Sequence, residues 1–146
     1  MKKSTLLLSA LIVAPLATFL LFSNDTDVIT KPIYLHEQIS QKTTKAWEPF
    51  LNQFIGKGDV VLKFFAYYCG PCKNMAPHID DLAQEMSECT FVKVQWEMFP
   101  GLVTRFGITS IPTLIFLRDG KEIGRYDGGP LSKDELATLI LNVYGR

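Results

Sequence analysis

Cys69 and Cys72 stand three residues apart around Gly70 and Pro71, and two thiols at that spacing can close a short disulfide. Helical i, i+3 geometry puts their Cβ atoms about 5–6 Å apart, and small backbone adjustments bring the sulfurs together. An apolar run, Val60 to Ala66, precedes the pair and a helical pattern follows it, so the motif falls at a strand-to-helix junction. Pro71 suits the first helical turn, where its missing N–H costs nothing. Cys69 then lies just before the helix, beside its unpaired N–H groups and the positive end of its dipole. Both favour a thiolate. A free cysteine titrates near about 8.5, and the attacking thiol of such a motif near about 7. That difference is about 2 kcal/mol, whereas a helix dipole supplies ~0.3–1 kcal/mol. Direct hydrogen bonds to the sulfur must add to it. A thiol that titrates near neutrality is both ionised and nucleophilic, which suits thiol–disulfide exchange.

Two other uses of the pair are weaker. A tetrahedral zinc site needs four ligands, and beyond the pair the chain offers Cys89, His36 and His78, with no second paired motif. No metal and no cofactor is expected. A purely structural disulfide across four residues would restrain the unfolded chain little, because that effect grows with loop length. Cys89 reads as a small buried apolar residue, with a regulatory or intermolecular thiol as the alternative. The 146 residues hold 15 basic and 15 acidic side chains. The absence of a basic excess argues against a nucleic-acid module built on phosphate contacts.

The elements that must position the pair follow from periodicity. Ile33 to Leu35 is a short strand. Trp47, Phe50, Leu51 and Phe54 share one helical face, with Pro49 in its first turn. Val60 to Ala66 is apolar except for Lys63, which predicts a strand buried on both faces. Cys72, Met75, Ile79, Leu82, Ala83 and Met86 line one side of the next helix. Phe91 to Val94 is a strand, Leu102 to Phe106 a short helix, and Thr113 to Leu117 a strand. Asp119-Gly120 predicts a hairpin turn leading to a strand from Glu122 to Tyr126. Ser132 and Glu135 form a capping box for a last helix with Leu136, Leu139, Ile140 and Val143 as its stripe. The order from Val60 is βαβαββα, an α/β domain made of a βαβ unit, a helix and a ββα unit.

The start of the chain is of another kind. Lys2 and Lys3 precede an uncharged, apolar stretch, Ser4 to Ser23. This is the pattern of an export signal. The apolar run from Leu6 to Phe22 sits at the lower length limit for a spanning helix, so residues 1–23 read equally as a cleaved signal or as a retained membrane anchor. Residues 24–31 form a polar linker, and 32–146 the domain. Without Lys2 and Lys3 the remainder carries 13 basic and 15 acidic side chains, a net of −2.

The segment Val60 to Lys73, with Tyr68-Cys69-Gly70-Pro71-Cys72 at its centre, resembles the active-site strand, loop and helix start of the thioredoxin family. Ala76-Pro77 matches that family's helix proline. Phe106 to Thr113 resembles the segment carrying its cis-proline, Phe116 to Lys121 the following hairpin, and Gly128-Gly129 the glycine loop. The resemblance spans residues 32 to 146. It implies the thioredoxin fold, a central mixed sheet flanked by helices. It also implies that Cys69 attacks a substrate disulfide and Cys72, more buried, resolves the mixed disulfide. Ile111-Pro112 would hold a cis peptide bond facing the pair, with exposed backbone that pairs with an extended substrate like an added strand. Tyr68, Gly70 and Pro71 would form the rim of the substrate site. Tyr68 stands where the family usually has tryptophan, which loses the indole N–H. Lys63 stands where the family usually buries an acid behind the second cysteine, and Lys93 matches a lysine that faces that acid. Burial and mutual repulsion would lower a lysine pKa. One of the two lysines could then be neutral and act as base, or Lys63 could favour the Cys72 thiolate by its charge or snorkel to solvent. Trp96 and Glu97 could line the groove, Met98-Phe99-Pro100 could cover the core or form a contact patch, and His78 reads as a surface residue.

The resemblance implies a protein-disulfide oxidoreductase acting on cysteine-containing proteins. Gly-Pro between the cysteines and Ile before the cis-proline resemble reducing members of the family. With export, the site of action is the periplasm, or the periplasmic face of the inner membrane in a Gram-negative cell. A reductant there implies electrons from a membrane-embedded thiol carrier. An oxidant or isomerase would use the same residues with the poise reversed. A non-enzymatic thioredoxin-fold binding module is the third alternative.

Overall fold

The computed structural model describes residues 33–34 and 52–146. The signal or anchor (1–23), the linker (24–31) and most of the helix expected from Trp47 lie outside the described residues. Its last turn, residues 52–55, is helical. No helix among the described residues is long and apolar enough to cross a membrane.

Five strands form one sheet: β1 (Ile33–Tyr34), β2 (Asp59–Phe65), β3 (Cys89–Gln95), β4 (Thr113–Arg118) and β5 (Lys121–Tyr126). Their spatial order is β1-β3-β2-β4-β5. β3 runs parallel to both β1 and β2, while β4 runs antiparallel to β2 and to β5. Among the described residues there are, besides the helical turn at 52–55, three helices: α1 (Gly70–Glu85), α2 (Pro100–Arg105) and α3 (Lys133–Tyr144). The mixed sheet arises because α1 returns the chain for a parallel partner, whereas Asp119-Gly120 reverses it in place. Asp119 and Gly120 both have positive φ, 49° and 75°, the geometry of the two-residue turn expected there. The turn is locked to the start of β2: the Gly58 N–H donates to Asp119 Oδ1 at 2.9 Å.

β2 is buried along nearly its whole length, so its alternation distributes residues to two cores. Val60, Leu62 and Phe64 join Val92, Val94, Ile115 and Leu117 on one face, closed by Ile55, Leu102 and Phe106. Val61 joins Phe91, Leu114 and Phe116 on the other, closed by Met75, Ile79 and Leu82 of α1 and Leu136 and Ile140 of α3. Lys63 and Lys93 are register partners two residues beyond Val61 and Phe91, which puts both lysines on the α1 face. At the far end of α3 the buried Tyr144 hydroxyl donates to the Val60 carbonyl at 2.8 Å. The α3 capping box is present: the Glu135 N–H donates to Ser132 Oγ, and the Ser132 N–H to Glu135 Oε2.

Most element limits lie within one residue of those expected from the sequence, and two starts differ by two residues. β3 begins at Cys89 rather than at Phe91. Cys89 opposes Asp59 in the ladder and is buried, so it belongs to the strand. Arg146 Nη1 lies 3.4 Å from its sulfur, and burial pushes the Cys89 thiol up. α2 starts at Pro100, two residues before Leu102, because proline occupies its first turn without cost.

Candidate active site

β2 ends beneath the start of α1, and the two cysteines sit at that junction. Cys69 is the N-cap residue of α1 and Cys72 lies in its first turn. The pair is joined as a disulfide with Cα atoms 5.2 Å apart. The Cys72 N–H donates to the Cys69 sulfur at 3.1 Å. This is the direct hydrogen bond that the dipole alone could not replace, and it comes from one of the unpaired donors at a helix start. Cys69 is 8% exposed and Cys72 2%, so both are buried and the first is the less enclosed of the two.

Around the pair the chain builds an apolar collar. Ala66, Cys69 and Cys72 form a small buried cluster, against which Phe65, Trp96 and Ile111 pack. Ile111 reaches it from the segment before β4, and the Ile111–Pro112 peptide is cis. Pro112 itself is buried and Ile111 half-buried. Tyr68, Gly70 and Pro71 are exposed beside the sulfurs, as is Tyr67. Met98, on the loop after β3, is also exposed, whereas Phe99 fills the core. The apolar loop therefore divides between the two roles expected of it. Trp96 supplies something the sequence reading counted as lost. Its indole N–H donates to the Tyr68 hydroxyl at 3.2 Å, so a ring and an indole are again tied together at the rim, with donor and acceptor on the segments that follow β3 and β2. Glu97 is exposed and accepts from the Gln95 amide at 2.8 Å. His78 is half-buried rather than fully on the surface.

Behind the disulfide lies a cavity of about 170 Å³ lined by Lys63, Phe65, Ala66, Tyr67, Cys72, Lys73, Ala76 and Lys93. Lys63 does not snorkel. It is 2% exposed, and its Nζ donates to the Cys72 carbonyl at 3.0 Å. The side chain is held between the sheet and α1, with its ammonium turned onto that carbonyl. Burial lowers its ammonium from the ordinary 10.5 to about 8; the neighbouring Lys93 charge pushes the same way, and Asp80 opposes. Lys93, equally buried, is paired with the Asp80 carboxylate. Asp80 was not singled out by the sequence. The available signal was its place beside Ile79, two turns along α1 from Cys72 on the edge of the buried stripe. Among the described residues no cluster of three or more His, Cys, Asp or Glu side chains could hold a metal ion.

The lowered lysine has a consequence for stability. The unfolded chain holds this proton more tightly than the folded one, so stability rises as pH climbs from about 8 to 10.5 and is flat for this group outside that window. The rise is about 3 kcal/mol. Lys63→Met is expected to abolish it and to be the more stable protein at pH 7.5. Urea denaturation of both proteins at pH 7.5 and pH 10 measures this. Equal pH dependence in the two would mean that Lys63 is not perturbed.

The thioredoxin family matches the chain over residues 38–142. A thioredoxin of Chlamydia caviae is 43% identical over 89 residues, covering 61% of this chain and 86% of its own length. The thioredoxin H-type 2 of Nicotiana tabacum is 35% identical over 103 residues, covering 70% of this chain and 86% of its own length. Among solved structures, thioredoxin NaTrxh from Nicotiana alata superposes with a TM-score of 0.63 at 30% identity, covering 77% of this chain and 91% of that one. Fasciola hepatica thioredoxin gives 0.60 at 32% identity, covering 75% and 97%. With a redox pair at the cap of a helix, a cis-proline beside it and these relatives, the chain belongs to the thioredoxin family of protein-disulfide reductases.

Proposed function

We propose that this chain reduces disulfides of proteins on the outer side of a membrane, with Cys69 as the attacking sulfur and Cys72 as the resolving one. The observation that carries the division of labour is the asymmetry of the pair. Cys69 caps α1, is the less enclosed of the two and receives the Cys72 N–H, whereas Cys72 is more deeply buried. Attack by the Cys69 thiolate forms a mixed disulfide and releases one substrate thiolate. Attack by Cys72 on Cys69 then releases the second and closes the Cys69–Cys72 bond. Tyr68, Gly70, Pro71, Ile111 and Pro112 form the docking rim, where an extended peptide pairs with the backbone before the cis-proline. The outer location is supported by Lys2 and Lys3 ahead of the apolar stretch Ser4 to Ser23. Residues 32–146 form the working domain. There the oxidised pair needs a thiol electron carrier embedded in the membrane.

Thiol trapping in intact cells tests this. Cells producing the full chain are quenched with acid and alkylated with a mass-adding maleimide, and a parallel sample is treated with protease outside the inner membrane. The expected result is a protease-accessible chain with Cys69 and Cys72 reduced. A stable disulfide would identify an oxidant or isomerase instead, and a protected chain would refute the outer location.

A further inference from the structure

The resolving step requires the Cys72 thiol to lose a proton inside an enclosed site, and the groups behind it define where that proton can go. The cavity behind Cys72 presents three lysines. Lys73 is exposed to water, and Lys93 is paired with Asp80 of α1. Lys63 differs from both: it is buried, and its hydrogen-bond partner is the neutral carbonyl of Cys72 itself. Lys93 faces Lys63 from the adjacent strand as its register partner, and Leu114, its neighbour on β4, is apolar. The charged groups around Lys63 are thus Lys93 on β3 and Asp80 and Lys73 on α1. One carboxylate balances Lys93, and a second ammonium beside it is disfavoured by burial and repulsion. The cavity has room for several waters and reaches solvent at the exposed residues Tyr67 and Lys73.

We propose that the Lys63 amine is the proton acceptor for the Cys72 thiol during resolution of the mixed disulfide. The proposal rests on the reading of Cys69 as attacking and Cys72 as resolving sulfur. The neutral amine takes the Cys72 S–H proton and becomes an ammonium. The Cys72 thiolate attacks the Cys69 sulfur, the Cys69–substrate S–S bond breaks, and the Cys69–Cys72 bond forms. The substrate sulfur leaves with the electron pair and takes up the proton that the Lys63 ammonium gives back, directly or through water in the cavity. The cysteine pair is oxidised by two electrons and the substrate disulfide is reduced to two thiols. Lys63 is neutral again and the protons balance.

The test separates the two chemical steps by rapid quench with a dye-labelled peptide disulfide. Formation of the mixed disulfide is timed in a Cys72→Ser background. Release of the second thiol is timed in proteins that retain Cys72, namely wild type, Lys63→Met and Lys63→Asp. In the wild type, the release rate is expected to rise about tenfold from pH 7 to pH 9, half complete near pH 8. Lys63→Met is expected to release about 100-fold more slowly at pH 7, with its rise moved to the thiol's own ionisation. Lys63→Asp, which restores a group able to accept the proton, is expected to recover much of the rate lost in Lys63→Met and to move the rise away from pH 8. Mixed-disulfide formation should be unchanged when either substitution is added to the Cys72→Ser background. A release rate in Lys63→Met equal to wild type would overturn the proposal. So would a wild-type rate that falls above pH 8, the mark of a lysine acting through its charge. If Lys63→Met does not fold, the wild-type profile and the Asp variant decide. Absence of any mixed disulfide with Cys69 would instead sink the division of labour on which the proposal stands.

Discussion

Cys72→Ser is expected to stop the reaction at a covalent complex between Cys69 and its substrate, and Cys69→Ser to reduce no disulfide at all. The first variant retains the less enclosed sulfur and removes the one that would displace the product. The cap geometry survives, because the hydrogen bond to the Cys69 sulfur comes from the backbone N–H of residue 72 rather than from its side chain. The serine hydroxyl is too weak an acid to attack the mixed disulfide at neutral pH, so the complex persists until an external thiol cleaves it. The second variant loses the nucleophile, and the enclosed Cys72 thiol cannot replace it. Non-reducing electrophoresis with mass spectrometry of the trapped species measures the first. A turbidity assay of insulin reduction by dithiothreitol measures the second, with the rate expected at background. A Cys69→Ser protein that still performs its cellular role would favour a binding module over an enzyme. Trapping through Cys72 would reverse the two roles.

Phe116→Ala is expected to cost about 3–5 kcal/mol, the range for truncating a buried phenylalanine. Phe116 is 0% exposed at the middle of β4. It packs among Met75, Ile79, Leu136 and Ile140 and stands edge-on to Tyr144, with ring centroids 6.0 Å apart. Residues of both helices on that face share this cluster with Phe116, so closing the cavity would require moving them relative to the sheet. A domain of this size is stable by about 5–15 kcal/mol, and the loss corresponds to a melting point lower by roughly 15 °C or more. Urea denaturation should show a lower midpoint with unchanged slope. Phe116→Leu, which retains most of the volume, should cost far less. A loss below about 1 kcal/mol for the alanine variant would mean that the pocket collapses and that the two helices are not held by a shared core.

The sequence disclosed what is encoded locally. Cys69 and Cys72 announce a disulfide through their spacing, and Pro71 announces the helix that follows. Asp119-Gly120 specifies its turn, and Ser132 with Glu135 specifies its cap, because each motif is completed within four residues. The order of strands and helices follows from periodicity in the same way. The solvent-facing rim at Tyr68 and the cis peptide before Pro112 were readable through resemblance, since those segments keep the family's residue pattern.

The surroundings of the lysines were decided by the tertiary structure. Lys63 and Lys93 are separated by the whole of α1, and the parallel register of β2 and β3 makes them neighbours. Nothing local to Lys63 shows whether a four-carbon stem reaches water. The helix packed over it buries the stem and offers the Cys72 carbonyl as partner. Asp80 becomes the partner of Lys93 through the position of α1 on the sheet, and Trp96 becomes the donor to Tyr68 through the adjacent ends of β2 and β3. The physical reason is common to these cases. Spacing along a chain sets geometry only within a turn or a helix, whereas burial, charge balance and proton affinity depend on every element that meets at a point.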